Sequence, residues 1–404
     1  MAKTWNGLGN DITVIAGMIH ANKQEKRSEY KGKYFKFKTQ GSVKVWRCHV
    51  SEAYNRNFAG RLWAYFCFMF SSMWAGLFKV KGRYDLIVVT SPPLFVGLSG
   101  YIISRLRRIP MVFEVRDLWP ESAVETGILK NRVIIRMAYR VEAFIYKKAR
   151  LINVLTPAFR ETLITKNRVP ADKIIFVPNA ADFSLTEKLL REFDYGRFRR
   201  EQGLEGKLVF IYVGAHGVSN HLIQVIEAAE LLRDRPVLFL LIGDGMQKKM
   251  LQKEAVARGL NNVRFEESVP KEEVFRFILA SDVGMSVLKK TNNFKTVYSN
   301  KTFDYMSCKR PILMAIDGIS RQLVADAGAG FYVEPENSHD YVKVVDHYLH
   351  HPEVMKKQGE SGYRYAKDNF DRTALAERYL AHIQKVAKHR VAEQKMKVEP
   401  YLKS

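Results

Sequence analysis

The sequence predicts an α/β protein built from two doubly wound, Rossmann-like domains. Three observations predict it. The chain has 404 residues, more than one hydrophobic core usually serves. Short apolar runs alternate with helical patterns, as in parallel sheets with helical crossovers. About halfway along, after "VPNAADFSLTE" and the polar stretch behind it, the plan begins again, so that stretch reads as the linker.

In the first half the strands are "DITVIAG" (11–17), "VKVWRCH" (43–49), "DLIVVTS" (85–91), "PMVFEV" (110–115), "LINVLT" (151–156) and "IIFVPN" (174–179). Helices fall between them, notably over 95–106 and 132–148. In the second half the strands are 208–214, 237–243, 262–267, 283–288 and 311–316, alternating with helices at 221–233, 246–258, 271–280 and 300–308. Only the beginning departs from the plan. Doubly wound domains commonly open on a strand and a glycine-rich turn, whereas "MAKTWNGLGN" reads as the end of a helix just before a strand.

Hydrophobic content of 47% and aromatic content of 12% supply buried cores. The cysteines Cys48, Cys67 and Cys308 lie far apart, which excludes a disulfide framework or a zinc site and fits a reducing cytoplasm. A net charge of +23 suits an anionic partner. Basic residues crowd 21–38 and the tail from 385 onward. Neither zinc-finger spacing nor an RNA-recognition signature is present, so no nucleic-acid partner is expected, and an anionic membrane surface, an anionic small molecule or a solvated basic surface with no partner stay open. The uncharged segment Leu62–Phe78, bracketed by Arg61 and Lys79, only just reaches the length needed to span a bilayer. Ser71 and Ser72 interrupt it and tryptophans lie near both ends, so it reads as a buried or interfacial helix.

Ligands of doubly wound sheets bind at the carboxyl ends of the strands, and two such domains facing each other would share a cleft there. Four clusters fall at strand ends. "GAHGVSNHL" places Gly214 and Gly217 around His216 before a helix, where backbone amides can approach an anion. "IGDGM" places Gly243 and Gly245 in a second tight turn. "EVRDLWPES" gathers Arg116, Asp117, Trp119 and Glu121. In "TVYSNKTFDYM", Lys301 sits in the first turn of a helix, where the macrodipole disfavours a cation, and Asp304 follows one turn later. A bound diphosphate would resolve that conflict, and Asp304 would then be placed for ribose hydroxyls; the alternative is a surface Lys301–Asp304 ion pair.

Taken together, "SPPL", "EVRDLWPES", "VPNAAD", "YVGAHGV", "IGDG" and "TVYSNKTFDYM", in this order, resemble the retaining GT-B glycosyltransferases of family GT4. The likeness is greatest to the bacterial branch that transfers N-acetylated amino sugars of the fucosamine type in O-antigen, capsule or lipopolysaccharide assembly. The closing "YAKDNFDRTALAERYL" is similar to the family's final helix, which returns to the first domain. The resemblance implies an acceptor-side domain over 1–182 with a returning helix at about 366–390, a donor-side domain over 183–365, and a basic tail over 391–404. It implies a nucleotide-diphosphate sugar donor, UDP-linked, and a lipid-linked acceptor, with no cofactor and no metal.

Carried over by position, Asp304 would bind the donor ribose, Lys301 and the Gly217 backbone the diphosphate, and Ser268 and Val269 would face the base. His216, Gly243, Gly245, Thr296 and Asn300 complete the donor side; Arg116 and Asp117 would act beside the transferred sugar, with Trp119 and Glu121 towards the acceptor. Stabilising the leaving diphosphate would fall to Lys301, backbone amides and helix dipoles, with retention by a front-face route.

Three departures stand out. Thr296 occupies the place of the family's first carboxylate, so main-chain groups around 294–296 would recognise the sugar. The usual basic pair is absent, and only His216 and His221 lie there. The family's opening strand is also absent, which leads to the expectation of an incomplete amino terminus. The reading is a cytoplasmic transferase on the inner face of the plasma membrane; alternatives are a sugar-nucleotide epimerase of the same fold and a non-catalytic membrane-bound homologue.

Overall fold

A computed structural model of the chain describes residues 1–19, 28–55, 58–125, 127 and 129–398. Much of the first basic run (20–27) and the end of the basic tail (399–404) lie outside the described residues. The chain divides into two compact units, Met1–Pro178 with the segment from Thr373 onward, and Asn179–Arg372.

Among the described residues the first unit holds seven strands: β1 (Thr13–Gly17), β2 (Phe35–Gln40), β3 (Val43–Cys48), β4 (Ile87–Ser91), β5 (Met111–Val115), β6 (Leu151–Val154) and β7 (Ile174–Phe176). They form two sheets, ordered β1-β3-β2 and β4-β5-β6-β7. All pairs are parallel except β2 with β3. The sequence reading passed over β2, although "FKFKTQ" alternates with the period of a strand; its lysines were counted as a charge run. Helix α1 (Ala2–Gly7) leads towards β1, and α2 (Phe58–Trp74) continues through a wider turn, Ala75–Lys79. Helix α3 (Val96–Arg107) presses against β4, because a Cβ on Gly100 would lie 2.3 Å from Val89 Cγ2.

The helix Arg132–Lys148 starts where Asn131 Oδ1 accepts hydrogen bonds from the amides of Val133 and Ile134, and it ends on Lys147 and Lys148. On its inner face Glu142 is buried, accepting from Tyr146 Oη at 2.9 Å and Asn167 Nδ2 at 3.1 Å.

The second unit is one parallel sheet of six strands: β8 (Leu208–Val213), β9 (Val237–Ile242), β10 (Val263–Glu266), β11 (Val283–Val287), β12 (Ile312–Ala315) and β13 (Gly330–Tyr332). Their order is β10-β9-β8-β11-β12-β13. The apolar runs of β9, β11 and β12 are buried throughout, as a sheet covered on both faces requires. The chain winds outward one way from β8 and resumes on its other side with β11, so the topological switch point lies between β8 and β11.

Two boundaries differ from expectation. The stretch read as a linker forms the helix Phe183–Glu192, whose Phe183 and Leu189 are buried in the second unit's core. The helix expected to return at 366 still belongs to the second unit as far as Phe370, which is buried there against Phe303. A fresh helix, Arg372–Val398, begins after Asp371, where Ala181 and Asp371 pair in parallel and Arg372 Nη1 meets Asp182 Oδ2 at 2.8 Å.

Burial pushes the Glu142 carboxyl up to about 7. Its folded value lies above the unfolded one, so its contribution to stability is full below about 4.5 and lost as pH rises through 7. Glu142→Gln should abolish that dependence, leaving the first unit more stable at pH 8 by on the order of 3 kcal/mol. Urea unfolding at pH 5 and pH 8 measures it.

Candidate active site

At the switch point the turn after β8 and the turn after β9 press into one another. A Cβ on Gly243 would stand 1.9 Å from the carbonyl oxygen of Gly214, and one on Gly245 would stand 2.5 Å from that of His216. Backbone bonds lace the two turns: His216 donates to Asp244, and Gln247 donates to His216, both at 2.9 Å. Only glycine allows this approach, and both glycines also hold positive φ, 147° and 157°.

Lys301 lies above the first turn. Its Cε is 3.4 Å from where a Gly214 side chain would begin, and its Nζ stands 4.2 Å from the centre of the buried Tyr212 ring. Tyr212 Oη donates to the carbonyl of Ala215 at 2.9 Å, which fixes the ring. Burial pulls the ammonium down to about 8.

The helix carrying Lys301, Asn300–Ser307, opens after Ser299 without a side-chain cap, leaving orphan amides at its first turn. Its body is pinned to the sheet: Tyr305 Oη donates to the Met285 carbonyl and accepts from the Val213 amide, while the Thr302 and Ser286 hydroxyls meet at 2.8 Å. Asn300 Oδ1 accepts from Asn179 Nδ2.

The surface ion pair weighed from the sequence is not made. No carboxylate lies within salt-bridge reach of Lys301, and the Asp304 carboxyl has no hydrogen-bond partner among the described residues. Burial instead pushes Asp304 up to about 6, against the pull of Lys271 and Arg372. Lys301, over the Tyr212 ring, and Asp304, one helical turn on, are each left half-buried with no ion-pair partner among the described residues.

His216 does not take the place of the missing basic pair by charge. Its ring is fully buried near Tyr212 and Phe265, with both ring nitrogens unpartnered among the described residues, and burial together with Lys248 pulls it down to about 4. It is neutral at pH 7, and its backbone serves as the staple between the turns. His221 lies 3.9 Å from Glu336. The Gly217 amide is held only by a long 3.4 Å contact to Asn220 Oδ1.

Ser268 is exposed beyond β10, while Val269 packs on the core. The Thr296 hydroxyl donates to the Asn293 carbonyl at 2.8 Å. Sequence reasoning missed Lys248. Its buried ammonium donates to the carbonyls of Gly243 and Glu266 and to Glu267 Oε1, tying the ends of β9 and β10 together. The readable signal was a lysine just past a glycine turn.

In the first unit, Arg116 and Asp117 follow β5 but do not pair with each other. Arg116 Nη1 reaches Glu114 Oε1 at 3.3 Å, and Asp117 Oδ2 accepts from Ser122 Oγ at 2.8 Å. Burial raises the Asp117 carboxyl above the ordinary range. Trp119 rests edge-on to Phe95, and Glu121 meets Lys166 at 2.9 Å. The sequence reading also omitted the buried Glu114, which accepts from Asn153 Nδ2 behind the cluster.

Two Rossmann-like units, the second with a cationic, uncapped helix start at its switch point, are the architecture of the GT-B glycosyltransferases. A family model described as "Glycosyl transferase 4-like domain" matches residues 1–180, and one described as "Glycosyl transferases group 1" matches 194–365; the chain belongs to the glycosyltransferases of GT4 type. A putative colanic acid biosynthesis glycosyl transferase of Escherichia coli is 24% identical over 261 residues, covering 64% of this chain and 63% of that protein. A probable glycosyltransferase of Pseudomonas aeruginosa is 24% identical over 281 residues, 67% of this chain and 69% of that one. In fold the chain is similar to HepE of Anabaena in complex with UDP, with TM-score 0.67 at 16% identity over 93% of this chain and 100% of that one.

A diphosphate held at Lys301 would bind with a pH dependence set by these two groups. The ammonium of the ligand-free protein is lost as pH rises through about 8 and the Asp304 carboxylate as it falls through about 6. Calorimetry with UDP should therefore show affinity greatest between these values and about tenfold weaker at pH 9. Lys301→Met should flatten the alkaline limb and weaken UDP at pH 7 by about 10- to 100-fold, as losing a charged hydrogen bond implies. Asp304→Asn should remove the protein's share of the acid limb.

Proposed function

We propose that this enzyme moves an N-acetylated amino sugar from a UDP-linked donor to a lipid-linked saccharide, with retention, in the assembly of a cell-surface polysaccharide. The observation that carries the donor half is Lys301, an ammonium without a counter-ion among the described residues, beside an uncapped helix start. A diphosphate accepts from both and meets the cost of burying the cation. As the sugar leaves, negative charge grows on that diphosphate, and the same groups hold it without reorganising. Asp304 accepts from the ribose hydroxyls, and the backbone near Ser268 and Val269 faces the base. Arg116 and Asp117 orient the sugar and the attacking hydroxyl, with Trp119 and Glu121 towards the acceptor. No metal enters this scheme. The polysaccharide setting leans on the relative named for colanic acid biosynthesis, and the nucleotide on the UDP complex of HepE.

The acceptor half rests on α2. Among the described residues no helix is long and apolar enough to cross a membrane. Yet α2 and its extension expose Trp63, Phe70, Trp74 and Phe78, at 60%, 56%, 52% and 61%, spaced to share one face. Lys79, Lys81 and Arg83 follow, all exposed. Arg107 Nη2 bonds the Val80 carbonyl, which brings exposed Leu106 and its flanking Arg105 and Arg108 alongside. An aromatic stripe with a basic rim suits an anionic bilayer surface, where lipid-linked acceptors reside.

Transfer is tested by incubating the enzyme with UDP-sugars and lipid-linked acceptor extract. Product should need both, whereas conversion of donor alone would mark an epimerase instead. In vesicle co-sedimentation, binding to anionic vesicles should exceed binding to neutral ones and fall with salt. Trp74→Ser with Phe78→Ser should cut it by about tenfold or more.

A further inference from the structure

The helix that carries Lys301 and Asp304 is secured at its body but not by its own cap. Tyr305 and Thr302 pin it to the sheet. The Ser299 hydroxyl stands where a serine usually caps, yet it bonds no amide of the first turn. A first turn without a cap frays unless something outside the helix holds the chain that enters it.

That hold comes from the turn after β12. Gly318, at φ 79°, opens the helix Ile319–Asp326, and a Cβ there would collide with the Lys295 carbonyl oxygen. The turn therefore lies directly against the short helical turn Asn293–Thr296. Asp317 meets Lys295 Nζ at 3.1 Å through one oxygen and Arg321 at 3.6 Å through the other. Two residues beyond Gly318, the Ser320 hydroxyl is part of a fully buried side chain. It donates to the Val297 carbonyl at 2.8 Å and accepts from the Ser299 amide at 3.3 Å. Val297 and Ser299 are extended, so alternate backbone groups of this entry segment turn to one side, as in a strand.

We propose that Ser320 is a positioning residue for the diphosphate: it holds the first turn of the Lys301 helix from outside, and so leaves that turn's amides open to the anion. This role rests on the donor reading above, and Ser320 itself touches no ligand. A hydroxyl suits the task because it serves both groups at once, accepting from an amide and donating to a carbonyl. A side-chain cap from Ser299 would do the opposite, occupying the amides within the protein. Since the helix body has its own anchors, loss of the Ser320 hydroxyl releases the first turn and leaves Asp304, one turn further on, in place.

The test compares UDP with uridine, which lacks the diphosphate, by calorimetry on the full chain, uridine being read by displacement of UDP. In Ser320→Ala the affinity for UDP should fall by about tenfold, the worth of one charged hydrogen bond, with uridine unchanged. General damage to the fold would lower both together. Ser320→Cys fills the same space with a weaker donor and reads the effect should the alanine variant not fold; its loss should be intermediate. A ratio of UDP to uridine affinity equal to that of the wild type, whether through no loss or a shared one, would overturn the role of Ser320. A wild-type chain that binds UDP no more tightly than uridine would overturn the donor reading instead, and this role with it.

Discussion

The candidate site of the second unit depends on how closely two turns approach. With the Gly243 Cα against the Gly214 carbonyl and Gly245 against His216, the ends of β8 and β9 become one layer rather than two loops. That layer buries the His216 ring, fixes Tyr212 beneath Lys301, and leaves space above Gly214 that a side chain would fill. Lys248 ties the ends of β9 and β10 together from behind, so the turn after β10 is joined to the same layer. Preorganised dipoles of this kind stabilise growing charge without paying reorganisation when it appears.

Around that layer, the chemistry comes from groups denied their usual partners. Most cations with a carboxylate in reach use it, as Lys271 does with Asp182 and Lys309 with Glu360. Lys301 and Asp304 sit within one helical turn and still do not meet, because the helix directs the lysine towards Tyr212 and the aspartate towards the side of Lys271 and Arg372. The separation leaves one group able to meet an anion and the other able to accept from hydroxyls.

The plan of the fold was legible because its signals are local. Every strand read in the second half exists; β9, β11 and β12, buried throughout, announce themselves as apolar runs. What escaped depends on tertiary context. The Phe183–Glu192 helix looked like a linker because only two of its positions are large and fully buried apolar side chains, and β2 was hidden by its lysines. The motifs located the glycines, Lys301 and Asp304, but spacing does not reveal whether two neighbours pair. Lys248, Glu114 and the neutrality of His216 follow from burial, which one sequence does not display.

The unpaired lysine also bears on how this protein tolerates change. A desolvated ammonium and a desolvated carboxyl each make the ligand-free second unit less stable than a version with apolar or paired groups at those positions. Selection for stability alone would therefore remove Lys301 and Asp304 early. Thermostabilised variants of this enzyme are therefore a hazard: the substitutions that raise its melting temperature most readily include those at the two residues proposed to hold its donor.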